Sequence, residues 1–461
     1  MLLSASLACA CLGYSTPPRE KLLIVAPAAF AAALEPFIAF KRTQPNIERC
    51  DILTLEGALQ EGEARGDAAE RLKRAIYTRW MDNTCDALLL VGDCTHMPFR
   101  YMMLDRGTKP AFDTAFYPSD MYYADLARED RSFDDWNGER DSFHAEYFGE
   151  VHGETDKQGA INFDGISYLP EISVGRWPAR TNEEVEIIAW KTTCAQRAWA
   201  ESRETIPEVL FVAAGGWIDN RVAITKLARP STVGDVAPWS AHLMSFFDAK
   251  SPATEHELFK ALFSRVPRIV CHTGHGSPQG WDQCLDIRML EFVLRNPSLP
   301  VLFSIGCSTA EVAPQPPYTA YLDVHGIEHK GTNAGEVFTA PPPPPHVLQT
   351  TEFDATSMSE EALRVRTGGA PCVIGCVTGA QPCAHTLLDG FVESARKNPQ
   401  QSVGQWWKSA LAHYHATERL SEIKSDEGWY PPSIFFQGMK FILLGDPTSR
   451  PLASEVRESK P

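Results

Sequence analysis

This sequence predicts an α/β fold of two adjacent halves, each a mostly parallel sheet flanked by helices. Three observations predict it. Short apolar runs alternate with longer stretches in which apolar residues recur every three or four positions. The runs are apolar throughout rather than at every second residue, the pattern of strands covered on both faces. Helix-start signals, Thr181-x-x-Glu184 and Thr254-x-x-Glu257, stand between them.

Taken in order, LLIVAP (22–27) reads as a buried strand, followed by a helix over 28–43 with Phe30, Leu34 and Phe37 on one face. DILTLEG (51–57) is a second strand, and 66–82 is a helix with Ala69, Leu72, Ile76 and Trp80 aligned. DALLLVGD (86–93) is a third strand, which completes a βαβαβ unit with right-handed crossovers. Residues 94–170, rich in Asp, Tyr and Gly, read as surface loops with an antiparallel hairpin. ISVGRWPA (172–179) returns to strand, and the helix capped at Thr181 runs to about Ala200.

The second half repeats the alternation. Strands are expected at PEVLFVAAGG (207–216), ending in glycines, at RIVCHTGHG (268–276), running into a glycine turn, and at PVLFSIGC (300–307), APCVIGCV (370–377) and MKFILLGDP (439–447). Helices are expected at HELFKALFSR, LDIRMLEFVLR (285–295), 384–397 and 402–420. Residues 311–357, with the run Pro341–Pro345, interrupt this order as a long loop or insertion. The expected organisation is a leader at 1–20, a first unit at 21–200, a second at 201–450 and a tail at 451–461.

Composition narrows the function. The 461 residues are 44% hydrophobic, too apolar for a disordered chain. Lys and Arg number 43 against 59 Asp and Glu, a net charge of −16. That balance argues against a phosphate-backbone binder, which needs a basic surface. No stretch reaches the ~18 apolar residues of a membrane span. Residues 2–13, LLSASLACACLG, have the length of a signal core and contain Ala8-Cys9-Ala10, but no positive residues precede them. Read as a signal, the run implies secretion or the cell envelope; otherwise the chain reads as cytoplasmic. The twelve cysteines are far below the density of a disulfide scaffold and mostly sit in apolar runs, as small buried hydrophobes do.

His275 and Cys307 stand apart. Each lies just past the C-terminal end of a predicted apolar strand, with one helix between them. A strand–helix–strand unit is a parallel crossover, so both strand ends fall on one edge of the sheet, where open α/β sheets bind ligands. A thiol with an imidazole at hand is the equipment of a cysteine nucleophile. Gly274 and Gly276 flank the histidine and Gly306 precedes the cysteine, so both turns are free to bend. The backbone N–H groups of Gly276 and Cys307 are candidate oxyanion donors. A zinc site at Cys372, Cys376, Cys383 and His385 lacks a familiar spacing, and that stretch reads better as a buried strand and helix start. His272 and His275 fall on opposite faces of a strand, which disfavours a metal pair. Asp93 and Asp446 read as turn or cap residues. There is no P-loop, G-x-S-x-G, H-E-x-x-H or G-x-G-x-x-G motif.

HTGHGSPQGW (272–281) followed by PVLFSIGCSTAEV (300–312) resembles the gingipain-type cysteine peptidases, family C25 of the caspase-like clan. LLIVAP, LLLVGD, SDMYYADL, VGRWPARTNEEVEIIAWK (174–191) and FILLGDP agree with it, so the resemblance spans about 21–450. It implies a caspase-like fold of a non-catalytic first subdomain and a catalytic second one. It implies a cysteine endopeptidase acting on proteins or peptides, with His275 as imidazole, Cys307 as nucleophile and Gly276 as oxyanion donor. No cofactor follows from it; structural calcium does, without a signature in the sequence.

The chain also departs from the family. Gingipains carry an acidic residue that orients the histidine, in a segment resembling FVAAGGW, where this chain has Ala213 and Ala214. That loss motivates an alternative, a catalytically impaired caspase-like binding module. The acidic residue that reads a basic P1 side chain has no clear counterpart; Asp219 and Asp282 are the candidates, with Trp281 as a further substrate contact. Arg or Lys specificity therefore does not transfer. The 311–357 segment is expected to be a mobile flap or a self-cleaved linker over the cleft.

Overall fold

A computed structural model describes residues 19–452 apart from 62–65, 106–108, 137–146, 150–165, 203–205, 217–218, 229–238, 247–257, 259, 261, 263–264, 292–298, 351–355 and 424–436. The leader and tail, and most of the helix expected at HELFKALFSR, lie outside these residues.

Ten strands form the central sheet: β1 (Glu20–Ala26), β2 (Ile47–Thr54), β3 (Ala87–Val91), β4 (Ser173–Trp177), β5 (Glu208–Ala213), β6 (Ser240–Ser245), β7 (Ile269–Thr273), β8 (Val301–Ile305), β9 (Cys372–Cys376) and β10 (Phe441–Gly445). Their order across the sheet is β2-β1-β3-β4-β10-β9-β8-β7-β5-β6. Every neighbouring pair is parallel except β9–β10. Strands β3, β4 and β7 to β10 are buried along their whole length, as the unbroken apolar runs require.

The mostly parallel sheet of each half is present, and the last strand joins the two. β10 runs parallel to β4 of the first half and antiparallel to β9 of the second. The strand directions therefore reverse at β9–β10, and the C-terminal strand ends of the two halves lie on opposite edges. At the seam, Lys41 and Asp446 form a fully buried ion pair at 2.9 Å. Burial works against the Asp446 carboxylate, yet Lys41 and Thr448 hold it below its ordinary range.

The longer helices that cover the sheet among the described residues are α1 (Ala31–Arg42), α2 (Ala68–Met81), α3 (Asn182–Glu201), α4 (Arg221–Ala228), α5 (Met358–Arg364), α6 (His385–Lys397) and α7 (Val403–Thr417). Asp67, Thr181, Ser357 and Ser402 accept first-turn N–H groups of α2, α3, α5 and α7. α1 packs on α3 and α3 on α5, while α6 lies on α7. Among the described residues no helix is long and apolar enough to cross a membrane.

Two expectations are corrected. The helix expected over 285–295 does not begin there: Leu285–Asp286 is the third strand of a small sheet with Gly276–Ser277 and Gly280–Trp281. Gly280, at φ +146°, turns that chain so tightly that a Cβ would meet the Leu285 carbonyl oxygen at 1.9 Å. A 3-10 turn capped by Asp286 follows at Ile287–Met289.

The second correction concerns residues 311–350, read as a long loop, which instead carry hydrogen bonds to the first half and a short antiparallel pairing of Tyr321–Leu322 with Glu328–His329. Gln349 donates its backbone N–H to Cys94, and Phe99 and Phe116 donate theirs to Val347 and Pro316. Within the segment, His329 bonds Glu336 at 2.8 Å and Asp323 at 3.1 Å, and stacks on Tyr321. The proline run has no N–H groups to donate, so it is held through its carbonyls: the Val324 N–H donates to Pro344 at 2.9 Å beside an antiparallel bridge between Asp323 and Pro345.

Candidate active site

β7 and β8 pair in register with Thr273 opposite Ile305. His275 and Cys307 each stand two residues beyond that pair, on the same edge of the sheet. The loop after β5 joins them there, because Ala213 pairs with Thr273. The loop after β9 does so too, since β9 is parallel to β8.

The two turns are built to approach closely. Gly274 has φ +146°, and a Cβ there would press on the Ala214 Cβ at 2.8 Å. Gly276 leaves no room for a side chain either, since its face meets Gly306. The residue after the cysteine, Ser308, sits at φ +52°, an unfavourable conformation for a side chain and one found at functional turns. Its N–H donates to the Thr378 carbonyl at 2.8 Å, which anchors the turn to the loop after β9.

Cys307 is half-buried, and its Sγ lies 3.4 Å from the Ala380 N–H. His275 is exposed on the rim; its N–H donates to Gly215 at 2.7 Å, and its carbonyl accepts from Asp282 N–H at 3.0 Å. Asp282 to His275 is a ladder bond of the Gly276–Trp281 pairing, which makes Gly276 a non-hydrogen-bonded position with its own N–H directed away from the hairpin. Beneath the turns lies His272, fully buried, with Nδ1 3.0 Å from Ser304 Oγ. Burial alone pushes its pKa down to about 3, so this ring is neutral.

A small pocket that opens to solvent lies beside Cys307. The four rim loops line it: Gly216 and Asn220 after β5, Thr273 and Gly274 at β7, Ile305 and Cys307 at β8, and Ala380, Gln381, Pro382 and His385 after β9. His275 lies outside this lining, next to Gly274. Among the described residues its ring has no hydrogen-bond partner, and the nearby position 214 offers only the buried methyl of Ala214.

The substrate contacts expected from sequence fall elsewhere. Trp281 is 2% exposed and stacks flat on His272, centroids 4.4 Å apart and planes 4° apart, so it braces the turn from within. Asp219 is exposed and forked onto Arg221; its neighbour Asn220 enters the pocket instead. Asp282 is exposed and contributes its backbone, and it does not line the pocket. Asn220, Thr273, Gln381 and His385 were missed. The rule that located His275 and Cys307 reaches them if applied to every parallel strand, since the loops after β5 and β9 share the rim.

Asp93 and Asp446 accept hydrogen bonds from Thr95 and Thr448 two residues on, as turn residues do. Among the described residues no group of three or more His, Cys, Asp or Glu is placed to hold a metal ion.

An α/β fold with a thiol and an imidazole on one sheet rim is the architecture of a cysteine peptidase. The profile of Peptidase family C25 matches residues 15–452, and the chain belongs to that family. A solved chain described as "Structure of Protease" is similar over 95% of this chain and 79% of its own, at 16% identity and a TM-score of 0.58. The Arg specific cysteine proteinase gingipain R (RgpB) is similar over 95% and 78%, at 13% identity and a TM-score of 0.56. The complex of Porphyromonas gingivalis RgpB pro- and mature domains gives 93% and 79%, at 12% and 0.54. At these identities the likeness defines the fold. No curated protein matches the chain.

Proposed function

We propose that this cysteine peptidase is an endopeptidase working through a Cys307–His275 dyad. Cys307 Sγ attacks the scissile carbonyl carbon, and the oxyanion that forms accepts N–H groups from Gly276 and Cys307. His275 takes the thiol proton and passes it to the leaving amine as the C–N bond breaks. The resulting thioester is hydrolysed by water, which His275 deprotonates.

The observation that carries this reading is the equal offset of His275 and Cys307 beyond the Thr273–Ile305 pair. Endopeptidase action is supported by the exposure of His275 at the rim, where a chain can extend on both sides of the scissile bond. Arginine specificity, which belongs to the RgpB structure's description, is not part of the proposal.

The test is digestion of an unfolded polypeptide by wild type, Cys307→Ala and His275→Ala. The cysteine variant is expected to lose about 10⁴-fold or more of kcat/KM, and the histidine variant about 10²–10⁴-fold. Cleavage that persists in Cys307→Ala overturns the dyad. A wild-type chain that cleaves nothing while binding polypeptide supports the second reading, an impaired binding module, which the methyl group at Ala214 favours.

A further inference from the structure

We propose that α5 positions the catalytic dyad and couples it to the first half, with Ser359 as the positioning residue at its active-site end. The inference rests on Cys307 and His275 being the dyad, because α5 grips the turn that follows each of them.

The first N–H groups of a helix have no partner inside it. In α5 the first two go to the two catalytic turns. Met358 donates to the Pro278 carbonyl at 2.7 Å, three residues past His275. Ser359 donates its N–H to the Thr309 carbonyl at 3.1 Å, two residues past Cys307. The Ser359 hydroxyl donates to the same carbonyl at 2.6 Å. Adjacent Cα atoms lie about 3.8 Å apart, so α5 holds the two carbonyls, and with them the two turns, at a set spacing. Ser357 and Glu360 close a capping box around this start and fix where the helix begins.

Thr309 passes the constraint on to the site. Its Oγ1 donates to the Gly306 carbonyl at 3.2 Å. Its Cγ2 fills the place where the two turns meet: a Cβ on Gly276 would stand 2.7 Å from it, and one on Gly306 2.9 Å. Met358, Ser359 and Thr309 are fully buried, so water does not compete for these bonds.

The rest of α5 is fastened to the first half. Lys191 of α3 is 1% exposed and donates its Nζ to the Ala362 carbonyl at 2.7 Å. Arg364, the last residue of α5, donates its Nε at 2.7 Å to the carbonyl of Pro178, which follows β4. Its guanidinium lies 3.7 Å from Glu184 of α3. The seven residues of α5 span about 10 Å. One short helix therefore links the first half to both catalytic turns, and such coupling is shown by non-additive effects rather than by proximity.

The experiment measures kcat, KM and melting temperature on one peptide substrate for the full chain carrying Ser359→Ala, Lys191→Met or both. Ser359→Ala removes one of the two donors to Thr309 and is expected to lower kcat about tenfold, with KM within about twofold. Lys191→Met is expected to lower kcat about threefold; Ala362 keeps the Ala370 N–H at 2.8 Å, so no carbonyl is stranded. The double variant is expected to match Ser359→Ala within about twofold, because both changes release the same element. Thr309→Ser deletes only the methyl at the glycine contact and is expected to lower kcat as Ser359→Ala does, which keeps the test decisive if Ser359→Ala does not fold. An unchanged kcat in whichever of these two variants folds, even with a lower melting temperature, means a merely structural clamp. That result, with cleavage lost in Cys307→Ala, overturns this proposal and leaves the peptidase reading intact. Effects of Ser359→Ala and Lys191→Met that simply multiply also overturn the coupling. No cleavage by wild type overturns both.

Discussion

Gly276 and Gly306 touch backbone to backbone: a Cβ on Gly276 would stand 2.7 Å from the Gly306 Cα, and one on Gly306 would stand 3.0 Å from the Gly276 Cα. The histidine turn and the cysteine turn are thereby held at one fixed separation. Gly276→Ala is expected to force them apart. Overpacking of this kind costs about 1–3 kcal/mol, and displacing a reacting group by about 1 Å costs about 100-fold in rate. A peptide-hydrolysis assay beside a thermal melt checks this; an unchanged kcat/KM would mean that the contact does not set the site.

Thiol reactivity should single out the same residue. Of the ten described cysteines only Cys194 and Cys307 are not buried. Burial pushes the Cys194 thiol up from its ordinary value, which lowers its thiolate fraction. Iodoacetamide at neutral pH is expected to modify Cys307 about tenfold faster than Cys194, read by peptide mapping of timed samples. Equal rates would count against an activated Cys307.

The seam between the halves depends on a buried charge. Lys41→Met leaves Asp446, fully buried, without its cation. Breaking such a pair from one side costs about 3–5 kcal/mol. Denaturant unfolding should show that loss, and Lys41→Met with Asp446→Asn should recover part of it. A single variant as stable as wild type would show that the seam does not rely on the pair.

The proline-rich segment should respond to pH through His329. Burial opposes charge on the ring, but Glu336 and Asp323 outweigh it and raise its pKa. Both carboxyls are held below their ordinary values, against the effect of burial, by backbone N–H groups and by His329. The histidine's contribution is full below its unfolded value of about 6.5 and fades as pH rises through the raised one. The carboxylates' contribution is present above about 4.3 and is lost as pH falls through their lowered values. The melting-temperature gap between wild type and His329→Gln is therefore expected to be widest near about pH 5.5 and narrower by about pH 8.5. A gap independent of pH would show that the clasp does not titrate.

The strand and helix pattern was legible because it depends on neighbours a few residues away. DALLLVGD and PVLFSIGC are apolar throughout because both faces of β3 and β8 are covered. Thr181 caps α3 through the Glu184 N–H, a bond between residues three apart. His275 and Cys307 were legible as a pair because a parallel crossover sends both strand ends to one edge. LDIRMLEFVLR misled because Leu285 and Asp286 answer to Gly280 and Trp281 across a hairpin, not to helical neighbours.

By itself the sequence determined the alternation of strands and helices, the shared rim of His275 and Cys307, and the resemblance that the family profile bears out. Tertiary structure alone decided where β10 enters, since FILLG pairs with β4 and β9 from far along the chain. It also decided that Asn220 rather than Asp219 faces the pocket, that Trp281 is buried under the turn, and that residues 311–350 are bonded to the first half. The physical reason is common to all three. Local periodicity is set by backbone geometry over one or two turns, whereas which face a loop residue presents is set by the elements that happen to pack against it.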